Sequence, residues 1–203
     1  MKGLYIVTPD WDDTQKLLDI TEMALRSGAA LVQYRHKNAG EEFRREQAGC
    51  LLALCRSYQR PLIINDHVDL CLAIDADGVH IGGTDMSVAQ VRAILGADKI
   101  VGASCYGDLQ LARDAHRDGA SYVAFGGFYP SRVKKYPVTT PLQIVAQSKS
   151  EIPLPVVVIG GMTEENAVPL VAGGADMVAA ISSVYSAADP EMATRGFTRL
   201  FGE

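Results

Sequence analysis

The chain has 203 residues, 48% of them hydrophobic, which is enough for one sizeable domain with a large core. The formal net charge of −5 argues against a nucleic-acid surface, which needs an excess of basic residues, but it allows a local basic pocket. No apolar run reaches the ~20 residues of a membrane span, and the N-terminus "MKGLYIVTPDWDD" lacks the long apolar middle of a cleavable signal. We therefore expect a cytoplasmic protein with neither a nucleic-acid nor a membrane partner.

Eight short apolar runs alternate with longer stretches of helical period along the whole chain. Each run is rich in Val, Ile, Leu or Ala, as is typical of strands that helices cover. The predicted strands are 4–8, 30–35, 61–65, 77–81, 99–104, 121–126, 155–160 and 176–181. Helical stretches such as 14–28 and 40–58 lie between them, and strict alternation of this kind predicts a parallel sheet.

A weak internal repeat favours closure of this sheet into a barrel. Ala29, Ala76, Ala120 and Ala175 each mark a point where a helix runs into a strand, at intervals of about two βα units. Four such double units predict a single (β/α)8 barrel domain over residues 1–203. The alternative is an open doubly wound sheet, which normally has a Gly-rich phosphate loop after its first strand, whereas here that strand runs into "TPDWDD".

Candidate anion-binding residues follow the second strand, and in such a barrel the chemistry lies at the C-terminal ends of the strands. A period of two places Gln33, Arg35 and Lys37 of "VQYRHK" on one face. Two cations and an amide at the barrel mouth are costly unless an anion is near. The alternative interpretation is that Arg35 pairs with an acidic side chain and Lys37 is solvated.

Two carboxylates at neighbouring strand ends suit a divalent cation. Asn65 and Asp66 lie where the third strand gives way to the next helix, and Asp85 follows the fourth strand. Mg²⁺ takes one or two carboxylates and leaves its other positions to water and phosphate oxygens. Either aspartate could instead cap the helix that follows it.

Further polar residues at the later strand ends predict two phosphate sites. Ser104 ends the fifth strand, and Ser131 and Lys134 lie on the basic loop after the sixth, for which a solvated patch is the alternative. Gly161 follows the seventh strand and Ser182 the eighth, where these barrels usually bind a monophosphate through backbone N–H groups. On the other side of the barrel mouth, the cations and the metal ion would bind a diphosphate. A diphosphate in such surroundings would be a leaving group.

In this order, these residues resemble the ThiE/TenI family of thiamine phosphate synthases and their homologues. The resemblance covers nearly all of the chain and rests on "VQYRHK", "LIINDHVDLCLAIDADGVHIGGTD", "VGASC", "GADMVAAIS" and "FYPSRVKK". It implies a (β/α)8 barrel that joins 4-amino-2-methyl-5-hydroxymethylpyrimidine diphosphate to 4-methyl-5-(2-phosphonooxyethyl)thiazole with release of pyrophosphate. It also implies a dissociative reaction through a carbocation, with Mg²⁺ as the cofactor and these two small molecules as the binding partners.

The resemblance assigns a role to each candidate residue. Gln33 would contact the aminopyrimidine, and Asp66 and Asp85 would bind Mg²⁺. The diphosphate would be held by Arg35, Lys37, Asn65, Ser104, Ser131 and Lys134, of which Arg35, Lys37, Ser104 and Lys134 are the candidate catalytic residues. The thiazole phosphate would be bound mostly through backbone by Gly161, Ile181 and Ser182.

Three parts of the chain depart from the pattern of the family. The loop that commonly reads Pro-Thr-x-Thr-Lys has Val133 in place of its second Thr, Gly83 stands where a Gln is usual, and Tyr106 replaces a His. The alternatives to a synthase are a TenI-like thiazole tautomerase, whose active-site His would stand where Tyr106 is, and a catalytically inactive phosphate-binding homologue.

Overall fold

The computed structural model describes residues 1–83, 86–130 and 140–202. Within these residues, eight parallel strands form a closed barrel in chain order, and the last strand pairs with the first. The predicted (β/α)8 barrel is therefore confirmed, and the open doubly wound sheet is wrong.

Each predicted strand is present, with bounds that differ by one or two residues. The strands are β1 (Gly3–Val7), β2 (Leu31–Tyr34), β3 (Leu62–Asn65), β4 (Gly78–Ile81), β5 (Ile100–Tyr106), β6 (Tyr122–Gly126), β7 (Val156–Ile159) and β8 (Met177–Ala180). The helices within the described residues are α1 (Thr14–Arg26), α2 (Glu41–Ser57), α3 (Val68–Ile74), α4 (Val88–Leu95), α5 (Leu109–Arg117), α6 (Ile144–Glu151), α7 (Glu164–Ala172), α8 (Ser182–Tyr185) and α9 (Pro190–Arg199).

Strand β5 extends two residues beyond its predicted end because it contains an irregularity. Ser104 pairs with Ala124, and Tyr106 pairs with the next residue of β6, Phe125, so one residue of β5 is extra. Such a bulge re-aims the side chains around it. It lies at the barrel mouth, beside Ser104.

The core has two layers, because successive side chains of a strand point to opposite faces. The larger layer packs between the strands and the surrounding helices. The smaller layer fills the barrel interior, and its members include Tyr5, Leu31, Ile63, Tyr122 and Met177. Two tyrosines in this inner layer bring polar hydroxyl groups into an otherwise apolar space.

Candidate active site

The C-terminal ends of the strands meet at one mouth of the barrel, and most of the predicted site residues lie there. Gln33, Asn65 and Ser104 are on β2, β3 and β5, while Gly161 lies two residues after β7 and Ile181 directly follows β8. The predictions for Asp85, Ser131 and Lys134 concern positions outside the described residues, so their placement stays a prediction.

Arg35 is buried at the mouth and pairs with a carboxylate that the sequence analysis did not single out. Its Nη1 atom lies 2.9 Å from Oδ1 and 3.1 Å from Oδ2 of Asp10, which follows β1. Its backbone is joined to the same segment, because the Arg35 N–H donates to the Thr8 hydroxyl and that hydroxyl donates to the Arg35 carbonyl. The alternative interpretation, in which Arg35 pairs with an acidic side chain, is therefore confirmed.

The ion pair leaves part of the guanidinium group available to an anion. The Nε atom of Arg35 is buried and donates to no group in the described part of the chain. Since a buried donor without an acceptor is costly, this atom fits a ligand oxygen at the mouth. Lys37 differs from its two neighbours on the predicted face, because it is exposed, and its backbone N–H donates to Asp10.

Asp66 has an unusual backbone at the end of β3. Its φ is 65°, in the left-handed region, and its N–H donates to the His80 carbonyl of β4. The Asn65 amide donates to the Asp66 carboxylate at 2.6 Å. The N-cap of α3 is His67, so Asp66 does not have the capping role that was left open. Strained backbone of this kind is often found at functional sites.

The chemistry of this strand end fits the predicted Mg²⁺ ligands. Asp66 supplies carboxylate oxygens, which Mg²⁺ prefers, and Asn65 fixes their orientation. The N-cap of α4 is Ser87, with a reciprocal bond to Gln90, while Asp85 lies outside the described residues. Among the described residues, no group of three or more His, Cys, Asp or Glu side chains could hold a metal by itself.

Ser104 is the end of a hydrogen-bonded chain that crosses the barrel interior. Gln33 Nε2 donates to Tyr5 Oη at 2.7 Å, and that hydroxyl lies 2.8 Å from Tyr122 Oη. Tyr122 Oη lies 2.9 Å from His80 Nδ1, and His80 Nε2 lies 2.8 Å from Ser104 Oγ. Burial raises the pKa of both tyrosines well above the ordinary value, so both hydroxyls keep their protons. The two tyrosines were not among the predicted site residues, because a tyrosine in a strand has the pattern of an ordinary apolar residue.

The segment after β7 has the close backbone approach expected of a phosphate site. Gly161 has a φ of 62°, and its carbonyl accepts from the Asn166 side chain at 2.9 Å. A Cβ at this position would lie 2.3 Å from the Pro130 carbonyl oxygen, so only glycine fits. Thr163 caps α7 through a reciprocal bond with Asn166. The β7–α7 segment therefore lies directly against the last described residue before position 131.

The segment after β8 lies beside it. Ile181 is buried and precedes α8, of which Ser182 is the first residue. The Ser183 hydroxyl donates to the Met162 carbonyl and so joins α8 to the segment after β7. The predicted monophosphate residues Gly161, Ile181 and Ser182 are thus brought together by two connected segments.

Two of the departures from the family pattern contact each other. The Gly83 N–H donates to Tyr106 Oη at 3.1 Å, and a Cβ at position 83 would lie 3.4 Å from the Tyr106 ring. Tyr106 also has a left-handed backbone, with a φ of 52°. The aromatic side chain therefore occupies the space next to the glycine.

No helix in the described ranges combines the length and the apolar character that crossing a membrane would require.

Comparisons with known proteins agree on one family. A family model described as thiamine monophosphate synthase matches residues 4–184. A thiamine-phosphate synthase of Janthinobacterium sp. (strain Marseille) is 66% identical over 203 residues, which are 100% of this chain and 98% of that protein. A thiamine-phosphate synthase of Methylobacillus flagellatus is 48% identical over 201 residues, covering 99% of this chain and 96% of that protein.

A solved structure agrees with these relatives. The thiamine phosphate pyrophosphorylase of Pyrococcus furiosus has a TM-score of 0.86 and 32% sequence identity, covering 98% of this chain and 95% of that one. The names of these relatives support a synthase, and they give no support to the tautomerase or to an inactive homologue.

Proposed function

The chain belongs to the thiamine monophosphate synthase family, and we propose from this that it is a transferase that makes thiamine phosphate. It would join 4-amino-2-methyl-5-hydroxymethylpyrimidine diphosphate to 4-methyl-5-(2-phosphonooxyethyl)thiazole and release pyrophosphate. The observation that carries the proposal is 66% identity over the full chain with a protein named thiamine-phosphate synthase. Both substrates are charged and cross membranes poorly, which supports the expected cytoplasmic location.

The pyrimidine diphosphate would bind on the side of β2, β3 and β5. Gln33 would contact the aminopyrimidine, and Asn65 and Ser104 would contact the diphosphate. Arg35 is held by Asp10 and keeps a buried Nε donor for a ligand oxygen. Arginine suits this position because its planar group binds phosphate through fixed N–H donors.

Asp66 and Asp85 would hold Mg²⁺ on the same side of the mouth. When bound, the ion would neutralise charge on the diphosphate oxygens. The Asn65 amide would keep the Asp66 carboxylate oriented toward this position, since it already donates to one carboxylate oxygen.

The chemical step would be dissociative. The carbon–oxygen bond to the diphosphate breaks, the electron pair leaves with pyrophosphate, and the pyrimidine stabilises the carbocation. The thiazole nitrogen then donates its lone pair to form the new carbon–nitrogen bond. Charge develops on the leaving diphosphate, which would accept hydrogen bonds from Arg35, Lys37, Ser104 and Lys134. No protein nucleophile is needed.

The thiazole phosphate would bind at the segments after β7 and β8. Gly161, Ile181 and Ser182 would donate backbone N–H groups, with the Ser182 hydroxyl as an additional donor. Backbone donors at a Gly-rich segment bind a phosphate without a large side chain in the way.

The direct test is the reaction of purified protein with both substrates and Mg²⁺, with thiamine phosphate and pyrophosphate measured by mass spectrometry. We expect both products in equal amounts, and none when either substrate is omitted. Absence of thiamine phosphate above the enzyme-free control would contradict the proposal.

A further inference from the structure

Five buried or half-buried side chains from five strands form one continuous hydrogen-bonded chain inside the barrel. The order is Gln33 of β2, Tyr5 of β1, Tyr122 of β6, His80 of β4 and Ser104 of β5. Its two ends are the residues that the proposed function places against the pyrimidine and against the diphosphate. The three inner members have no role in that function so far.

The direction of the bonds follows from the first donor. The Gln33 amide nitrogen can only donate, so Tyr5 Oη accepts from it and its own proton must go to Tyr122. Tyr122 then donates to His80 Nδ1, which places the ring proton on Nε2. The Nε2–H group donates to Ser104 Oγ, and this leaves the Ser104 proton for a further acceptor.

The barrel interior is shaped to hold this chain. Tyr5 and Tyr122 are almost fully buried, with their rings in an edge-to-face contact, and the His80 ring stacks on Tyr122. Gly102 of β5 makes room for Tyr122, because a Cβ there would lie 2.0 Å from Cζ of the tyrosine. Hydrogen bonds in a buried network strengthen one another and hold the side chains of the network in place.

We propose that Tyr5, Tyr122 and His80 are positioning residues that couple Gln33 to Ser104 through the direction of these hydrogen bonds. In this direction, Gln33 keeps its amide oxygen as an acceptor for an amino group, and Ser104 keeps its hydroxyl proton as a donor to an anion. The inference rests on the proposed function, since that function supplies an aminopyrimidine and a diphosphate.

The reversed direction shows why the two ends are coupled. If the Gln33 amide turns over, its oxygen accepts from Tyr5, each bond in the chain reverses, and Ser104 donates to His80 Nε2. Gln33 then presents N–H groups, which disfavour an amine, and Ser104 presents only lone pairs, which disfavour an anion. A ligand with an amine at one end and a diphosphate at the other therefore selects one direction at both ends.

The first test is the tautomer of His80, read by ¹⁵N NMR of histidine-labelled protein with and without inorganic pyrophosphate. The His80 signals are assigned by their loss in His80→Asn. We expect a proton on Nε2 and none on Nδ1 in both samples. Tyr122→Phe removes the donor to Nδ1 and should produce a mixture of tautomers. Tyr5→Phe interrupts the same chain and gives the same comparison if Tyr122→Phe fails to fold.

The second test is discrimination between the amino substrate and its 4-oxo analogue, which presents an acceptor in place of the amine. Loss of a hydrogen bond to a charged group corresponds to about a tenfold change in affinity or more. We expect Tyr122→Phe to raise the KM for the pyrimidine diphosphate by about tenfold and to reduce the preference for the amino form. The KM for the thiazole phosphate should stay unchanged.

Tyr34→Phe is the matched control, because Tyr34 is also buried and hydrogen-bonded but donates to Gln47 on the outer side of β2. A proton on Nδ1 of His80 in the unsubstituted protein, or His80 signals that Tyr122→Phe leaves unchanged, would overturn the coupling. The coupling would also be overturned if Tyr34→Phe and Tyr122→Phe reduced the preference for the amino substrate over the 4-oxo analogue by equal amounts. The NMR result needs no turnover, so failure of the proposed reaction is seen separately from failure of the coupling.

Discussion

Arg35 and Asp10 form an ion pair at the barrel mouth in which one guanidinium nitrogen contacts both carboxylate oxygens, at 2.9 Å and 3.1 Å. The arginine side chain is 6% exposed and the aspartate 26%. Asp10 also accepts from the Lys37 backbone. One carboxylate after β1 therefore orders the two candidate cations that follow β2.

Asp10→Asn should weaken binding of the pyrimidine diphosphate. Removing one partner of a buried pair leaves an uncompensated charge, and with Asp10 partly exposed we expect a loss of about 1–3 kcal/mol in the free energy of unfolding. The KM for the diphosphate substrate should rise about tenfold, because Arg35 loses its orientation. Urea denaturation and steady-state kinetics measure the two effects. Asp12→Asn is the control, since Asp12 is 90% exposed on the same segment, and an unchanged KM in Asp10→Asn would contradict this role.

Asp66→Asn should lower activity by orders of magnitude without unfolding the protein. Asn adopts the left-handed backbone about as readily as Asp, so the φ of 65° is kept while a carboxylate ligand is lost. Activity measured against Mg²⁺ concentration checks this, with Asp69→Asn, an exposed site on α3, as the control. Full activity of the unsubstituted enzyme in excess chelator would show that no divalent cation is needed.

Lys134→Ala should weaken use of the pyrimidine diphosphate and leave thiazole phosphate binding nearly unchanged. The reason is that the basic loop is predicted to bind the diphosphate, while the monophosphate is predicted to bind to backbone after β7 and β8. Separate KM values for the two substrates decide this. An equal rise in the KM values of both substrates would contradict the assignment of the diphosphate to the basic loop and of the monophosphate to the backbone after β7 and β8.

Gly161→Ala should destabilise the barrel and impair thiazole phosphate binding. A Cβ would meet the Pro130 carbonyl oxygen at 2.3 Å, and the φ of 62° is unfavourable for alanine. Backbone strain of this kind costs about 1–3 kcal/mol. Thermal unfolding and the KM for the thiazole phosphate measure the effect. Gly40→Ala, where a Cβ would have no neighbour within 4 Å, should leave both near their original values.

Only Cys50 of the four cysteines should react with iodoacetamide in the folded protein at pH 8. Burial raises the pKa of Cys71 to about 11 and those of Cys55 and Cys105 to about 12. The thiolate fraction of Cys71 at pH 8 is therefore about one in a thousand, and it rises only as the pH approaches the pKa. Cys50 is exposed. Mass spectrometry of tryptic peptides would falsify this if Cys55, Cys71 or Cys105 were labelled as fast as Cys50.

The barrel could be predicted from the sequence because every strand is short, apolar and followed by a helical stretch. The end of β5 could not, since nothing in "GASCYG" indicates the extra residue between Ser104 and Tyr106. A bulge depends on the register of the neighbouring strand, which is a property of the assembled sheet.

The site could be predicted in part. Residues at strand ends, such as Gln33 and Asn65, were found because period and position place them at the mouth. Tyr5 and Tyr122 could not be recognised, because a tyrosine in a strand has the same apolar pattern whether or not its hydroxyl has a partner. Asp10 follows the first strand as Asp66 follows the third. This shared position after a strand was the signal in the sequence that could have identified Asp10 as a residue of the barrel mouth.

The contact between Gly83 and Tyr106 has a consequence for how this mouth could have evolved. A Cβ at position 83 would lie 3.4 Å from the Tyr106 ring and 3.5 Å from its hydroxyl, which is ordinary van der Waals contact, so a side chain there can pack beside the exposed aromatic ring. Glutamine at position 83 alone would keep the hydrogen bond to the Tyr106 hydroxyl, because the donor is the backbone N–H, whereas histidine at position 106 alone would remove the hydroxyl that accepts it. In a phylogeny of close relatives, tyrosine at position 106 should therefore occur both with glycine and with longer residues at position 83.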